Sequence, residues 1–169
     1  MSITKKIVII GLVLALAACN NSGPFGGGGD SAGAGSGAIV PGSANDPTSP
    51  LFFTQTIGDR VLFVVNEAQL TPEAESILDS QAQWLATNTD FTAIIEGHAD
   101  EQGTREYNLA LGARRADAAR AYLISQGVQA GRLQVVSYGK ERPIEVCSNE
   151  ACYAKNRRAV TVLAGGLTG

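Results

Sequence analysis

The chain has 169 residues, a formal net charge of −3 and only 6% aromatic residues. An acidic protein without a basic run has little attraction for a phosphate backbone, and few aromatic side chains leave little surface for base stacking. The composition therefore argues against nucleic acid as a partner, and the length suits one domain with a single core.

The first residues have the pattern of an export signal. Lys5 and Lys6 precede an apolar run over residues 7–18, which is too short and wrongly flanked for a membrane-spanning helix. The run ends in two alanines and Cys19, the arrangement of a lipoprotein cleavage site, so residues 1–18 are predicted to be a signal peptide and Cys19 to carry lipid. An ordinary secretory signal followed by an incidental cysteine is the alternative. Asn20, where an inner-membrane retention signal would have aspartate, favours the outer membrane.

Residues 19–50 are predicted to be a linker. After Cys19 they consist almost entirely of Gly, Ser, Ala, Asn and Pro, and such a segment has too few apolar side chains to form a core. We therefore expect a flexible connection between a lipid anchor and the domain.

The remainder, residues 51–169, is predicted to be one α+β domain with helices on one face of a mixed four-stranded sheet. A helix is expected to begin at Thr71-Pro72-Glu73, where a capping hydroxyl precedes a proline and an acid. Gly127 is expected to end a second helix. The predicted strands cover residues 61–65, 91–96, 133–137 and 159–163, and the predicted helices residues 71–85, 104–126 and 151–156. Leu109, Gly112, Ala116, Ala119 and Leu123 form the expected inner face of the long helix.

Two cysteines remain in the domain, Cys147 and Cys152. An exported protein occupies a compartment in which disulfides persist, so a disulfide is predicted, with a free pair as the alternative. One histidine and two thiols are too few for a metal site, and no cofactor is expected.

The most informative segment is GHADEQGTREYNLALG, residues 97–112, followed directly by ARRA. Spacings of three and four place Asn108, Leu111 and Arg115 on one face of the predicted long helix, towards the loop that carries Asp100. Arg115 can bind a carboxylate through two parallel hydrogen bonds, and Asp100 can accept from an ammonium. Thr104 stands at the helix N-terminus, where free N–H groups favour an anion. The pattern predicts a site for a zwitterion; alternatively, the two charges pair with each other or cap the helix.

The segments EGHADEQGTREYN, NLALGARRA, SYGKERP and NRRAV closely resemble the peptidoglycan-associated lipoproteins and the wider group of OmpA-like domains. The resemblance implies a βαβαβ(α)β sandwich that binds the diaminopimelate group of peptidoglycan. Asp100 and Arg115 would then be the primary contacts, with Asn108, Leu111 and Thr104 lining the pocket.

The same resemblance implies partners and a location. These are peptidoglycan, TolB and other Tol proteins, an outer-membrane lipid anchor with the domain facing the periplasm, and a role in envelope constriction at cell division. A peptidoglycan hydrolase or amidase would need a metal set or an activated nucleophile, and the sequence supplies neither. A stator-like anchor would keep a transmembrane helix where this chain has a cleavage site.

Some residues depart from the family pattern or remain ambiguous. The first strand ends in Phe63-Val64-Val65-Asn66 where relatives usually have an acidic Phe-Asp-x-Asp, so Val64 is expected to contribute only backbone contacts. His98 is expected to be structural rather than catalytic. Arg157 and Arg158 are compatible either with ligand contact or with support of a local loop.

Overall fold

The computed structural model describes residues 39–165. The predicted signal peptide, Cys19 and most of the predicted linker lie outside this range. Within it, no helix combines the length and the apolar character that crossing a bilayer would require. The helices are α1 (Pro50–Phe52), α2 (Pro72–Thr87), α3 (Arg105–Ser125) and α4 (Glu150–Asn156), and the strands are β1 (Arg60–Leu62), β2 (Phe91–His98), β3 (Leu133–Gly139) and β4 (Arg158–Gly165).

The four strands form one mixed sheet in the order β1-β4-β2-β3. β2 and β3 are parallel and are connected through α3, whereas β4 runs antiparallel to both β1 and β2. Alternate residues of β2, Ala93 and Ile95, are buried in the same core as Leu85 of α2 and Leu123 of α3. The predicted α+β class, with helices on one face of a mixed sheet, is confirmed.

The predicted helix ends are confirmed by their hydrogen bonds. The Thr71 hydroxyl accepts from the Ala74 N–H at 3.2 Å, and the Thr104 hydroxyl accepts from the Tyr107 N–H at 3.2 Å. Gly127 follows the long helix with a φ of 98°, a conformation that favours glycine. Local capping chemistry therefore decides where α2 and α3 begin and where α3 ends.

The prediction that Leu109 lies on the inner face of α3 is wrong. Its side chain is 49% exposed. The backbone of this helical turn lies directly against β3: the Ser137 hydroxyl donates to the Leu109 carbonyl at 2.6 Å, and a Cβ on Gly139 would lie 2.9 Å from the Leu109 nitrogen. Because the backbone occupies this contact, the side chain points outward.

The first strand is shorter than predicted. β1 ends at Leu62, and Val64 and Val65 are 46% and 45% exposed. β1 pairs only with β4, so it is an edge strand, and beyond it the chain turns, with Asn66 at a φ of 58°. The apolar run therefore continues past the sheet: Phe63 is still buried in the core, whereas Val64 and Val65 are not.

The folded part begins earlier than the predicted boundary at residue 51. Residues 41–49 form turns, and the indole N–H of Trp84 donates to the Pro47 carbonyl at 2.7 Å. Ser49 caps α1 and is 3% exposed, and Phe53, which opens a π-helical segment (Phe53–Gly58), is fully buried. Composition did not reveal this packing because its anchor, Trp84, lies in another element.

The predicted disulfide joins Cys147 to Cys152, with the two Cα atoms 6.1 Å apart. It closes a loop at the start of α4, where the Asn149 side chain accepts from the Cys152 N–H at 3.2 Å. The segment that leads into β4 is therefore fixed by a covalent link and a helix cap together.

Candidate functional site

Asp100 lies in the loop between β2 and α3 and is 7% exposed. Its Oδ1 accepts from the Gln102 N–H at 3.1 Å, and its Oδ2 accepts from Nη1 of Arg157 at 3.1 Å. The cation that pairs with Asp100 is thus Arg157, 57 positions away in the chain, and not Arg115, as the alternative interpretation of the two charges had it.

Arg115 is fully buried, and its guanidinium binds three backbone carbonyls. Nε donates to Glu67 at 2.8 Å, Nη1 to His98 at 2.9 Å and Nη2 to Val64 at 3.1 Å. Burial lowers the pKa of Arg115 to about 10, while the charge of Asp100 acts in the opposite direction. Arg115 is therefore still a cation at neutral pH, but the fork predicted to hold a ligand carboxylate is engaged with the backbone.

The contact with Val64 agrees with the expectation for that position. Its carbonyl, not its side chain, takes part in the site, and it does so by accepting from Arg115. Position 64 thus offers the site a backbone acceptor and no side-chain charge.

Arg157 connects Asp100 to the start of α4. Besides the bond to Asp100, Nη2 donates to a carboxylate oxygen of Glu150 and Nε donates to the Phe63 carbonyl at 3.2 Å. The residue is 5% exposed. Sequence reasoning left its role open, and the signal that could have assigned it is the motif NRRAV, whose first arginine follows α4 directly.

The other three predicted site residues have different positions, and one of them contacts the loop. Asn108 is 1% exposed and its side-chain amide donates to the Gln102 carbonyl at 2.8 Å, which holds the loop that contains Asp100. Leu111 is buried. Thr104 is exposed and its hydroxyl caps α3.

A groove of about 460 Å³ lies beside Arg157. Val64, Val65 and Glu150 are among the residues that line it. Arg157, Glu150 and Glu73 place charges of both signs on the groove, and the buried Asp100 is bound to Arg157. Groups of both signs suit a ligand that carries both an ammonium and a carboxylate.

His98 is buried, and its ring lies 5.6 Å from that of Tyr138. Burial, followed by the charges of Arg158, Arg142 and Arg60, lowers its pKa to about 4. Among the described residues neither ring nitrogen has a hydrogen-bond partner, and a carboxylate oxygen of Glu96 lies 3.5 Å from Nε2. The lowered pKa makes His98 a neutral packing residue at pH 7. Within residues 39–165 no three His, Cys, Asp or Glu side chains are grouped to hold a metal ion.

Comparison with known proteins gives a consistent result. Residues 62–157 match the OmpA family. The chain is 48% identical over 166 residues to a peptidoglycan-associated lipoprotein of Rhizobium meliloti, covering 97% of this chain and 91% of the relative. It is 40% identical over 156 residues to the protein of that name from Haemophilus influenzae, covering 92% and 95%.

Solved structures agree with these matches. The crystal structure of the peptidoglycan-associated lipoprotein from Burkholderia pseudomallei superimposes with a TM-score of 0.64 at 38% identity, covering 72% of this chain and 98% of the other. The C-terminal domain of Helicobacter pylori MotB gives a TM-score of 0.60 at 20% identity, covering 64% of this chain and 86% of the other, and shows a shared fold alone.

Proposed function

Since this chain belongs to the OmpA family and, within it, to the peptidoglycan-associated lipoproteins, we propose that it is an outer-membrane lipoprotein that binds peptidoglycan non-covalently. The name of its relatives supports the ligand, and the signal pattern that ends at Cys19 supports the anchor. The lipid holds one end in the membrane and the domain holds the cell wall. The protein thereby ties the two layers together.

The ligand group that we propose is diaminopimelate. The observation that carries the proposal is the buried carboxylate of Asp100, which is bound to Arg157, a residue that lines the groove. A carboxylate can accept about four hydrogen bonds, and Asp100 accepts two from the protein, so capacity remains for an ammonium group.

The two arginines have different roles in the proposed binding of the ligand carboxylate. Arg157 lines the groove and can reach a ligand carboxylate. Arg115, fully buried and bound to three carbonyls, fixes the surrounding loops and adds positive charge near the site. This assignment places Arg157 ahead of Arg115 as the direct contact.

We further propose that the domain faces the periplasm and that TolB and other Tol proteins are its partners during envelope constriction at division. The family resemblance supports these assignments. The hydrolase alternative would need an activated nucleophile, and His98, buried and neutral, is poorly placed to activate one. The stator alternative has only the shared fold in its favour.

The site is tested by Asp100→Asn, which removes the charge and keeps the shape. We expect its binding to purified sacculi to weaken at least tenfold, about 1.4 kcal/mol or more, because a charged hydrogen bond to the ammonium is lost. The measurement is co-sedimentation of the unlipidated protein over a range of sacculus concentrations.

Asp117→Asn is the matched control, because it makes the same change at an exposed position of α3. Thermal unfolding of both variants checks that they are folded at the assay temperature. Wild-type sedimentation by a folded Asp100→Asn protein would refute the proposed site.

A further inference from the structure

Glu150 is the first residue of α4, and its carboxylate accepts from Nη2 of Arg157. The same guanidinium donates to Asp100 through Nη1. The Arg157 side chain is 6% exposed, whereas that of Glu150 is 70% exposed. One buried cation is thus shared between the proposed ligand-binding acid and an acid on the surface.

The loop around Glu150 restricts where its carboxylate can be. The disulfide from Cys147 to Cys152 encloses it, and the Asn149 side chain caps the same helical turn. The Ser148 hydroxyl also lies 3.5 Å from a carboxylate oxygen of Glu101, next to Asp100 in the binding loop. The disulfide loop therefore meets the Asp100 loop at two points, through Arg157 and through Ser148.

We propose that Glu150 is a positioning and specificity residue of the binding site, held in place by the disulfide, and that it makes the site accept the ammonium group of its ligand. This inference rests on the proposed function of Asp100. The proposed route of this effect is Arg157, to which the Glu150 carboxylate is bound.

Charge balance gives the physical reason. With Glu150 present, the charge of Arg157 is offset by two carboxylates, those of Asp100 and Glu150. Without Glu150 the potential around Arg157 becomes more positive, which disfavours an incoming ammonium. Arg157 would also have Asp100 as its only carboxylate partner and would compete with the ligand for the Asp100 oxygens.

The test compares two probes and two variants. The probes are a muramyl tripeptide that ends in meso-diaminopimelate and the same molecule with its side-chain amine acetylated, titrated by NMR so that millimolar Kd values can be measured. Glu150→Gln is the variant. Glu145→Gln is the control, because Glu145 lies in the same loop and pairs with Lys155 at 2.9 Å instead.

We expect Glu150→Gln to weaken binding of the free-amine probe about fivefold and to leave the acetylated probe unaffected or bound more tightly. Glu145→Gln should leave the Kd of both probes unchanged. A merely structural role for Glu150 would weaken both probes equally, and that result, or equal behaviour of the two variants, would overturn the proposal.

A separate variant tests the role of the disulfide. The double variant Cys147→Ser/Cys152→Ser should lose affinity for the free-amine probe in the same selective way, and unchanged affinity would overturn the role given to the disulfide.

Asp100→Asn separates the two proposals. If the Asp100→Asn protein binds the free-amine probe normally, the proposed function fails. If that protein does not bind the probe, and Glu150→Gln has the same Kd values as Glu145→Gln, only the present inference fails.

Discussion

Buried arginines lie in and beside this site, and acceptors meet most of their donors; among the described residues, only Nε of Arg158 has no partner. Arg115 binds three carbonyls, and Arg158 donates to the carbonyls of Asn156 and Arg142 at 3.3 and 3.2 Å. Burial of an unpaired guanidinium would cost several kcal/mol, and a planar group with five donors is suited to meet several carbonyls at once. Replacing Arg115 with alanine would remove a donor from three carbonyls and leave a void in a fully buried position, so such a variant tests the fold rather than ligand contact.

At the residue scale we predict a pH dependence that arises from His98. Its pKa is about 4 in the folded protein and about 6.5 when unfolded. Between these values the unfolded chain binds more protons, so the free energy of unfolding falls as the pH decreases from 6.5 towards 4. The loss from this residue should be about 2.5 kcal/mol at pH 4.5.

Urea unfolding at pH 7 and pH 4.5 measures this change, and His98→Gln, which does not titrate, should show a smaller one. Because the chain has a single histidine, its imidazole NMR signal is also unambiguous. A midpoint near 6.5 for that signal in the folded protein would contradict the prediction.

At the element scale, the contact between β2 and α3 depends on two glycines that face each other. A Cβ on Gly97 would lie 1.8 Å from the Gly112 carbonyl oxygen, and one on Gly112 would lie 2.4 Å from the Ser137 hydroxyl. The first neighbour is backbone and cannot rotate away. The close approach of α3 to the sheet therefore requires glycine at residue 97.

We predict that Gly97→Ala lowers the free energy of unfolding by about 3 kcal/mol, because α3 must move away from the sheet. Gly131→Ala is the control, since a Cβ there meets no atom within 4 Å and its φ is not positive. Urea unfolding of both variants is the measurement. Equal stability of the two proteins would show that the helix and the sheet separate at little cost.

At the scale of the whole molecule, the proposed function needs an anchor as well as a binding domain. Cys19→Ser removes the proposed site of lipid attachment, so we expect the protein to move from the membrane fraction to the soluble fraction of cells. The measurement is fractionation followed by immunoblotting, with Cys147→Ser/Cys152→Ser as a control for the loss of a cysteine elsewhere. Persistent membrane association of Cys19→Ser would mean that the signal pattern was misinterpreted.

The sequence by itself determined the features that depend on neighbours in the chain. The caps at Thr71 and Thr104 and the stop at Gly127 act over a few residues, and the disulfide closes a loop between cysteines five positions apart. The fold class followed from the order of the elements. The position of Asp100 in a loop before a helix also followed from local pattern.

Only the tertiary structure decided which charges meet. Asp100 pairs with Arg157 across 57 positions, and Arg115 reaches carbonyls up to 51 positions away. Likewise, Trp84 binds the Pro47 carbonyl from 37 positions away, so residues before the predicted boundary at 51 pack against the domain. The spacing of residues along a helix predicts which side chains lie on the same face. It does not predict which loops pack against that face. For this reason the charges of the site were visible in the sequence, while their pairing was not.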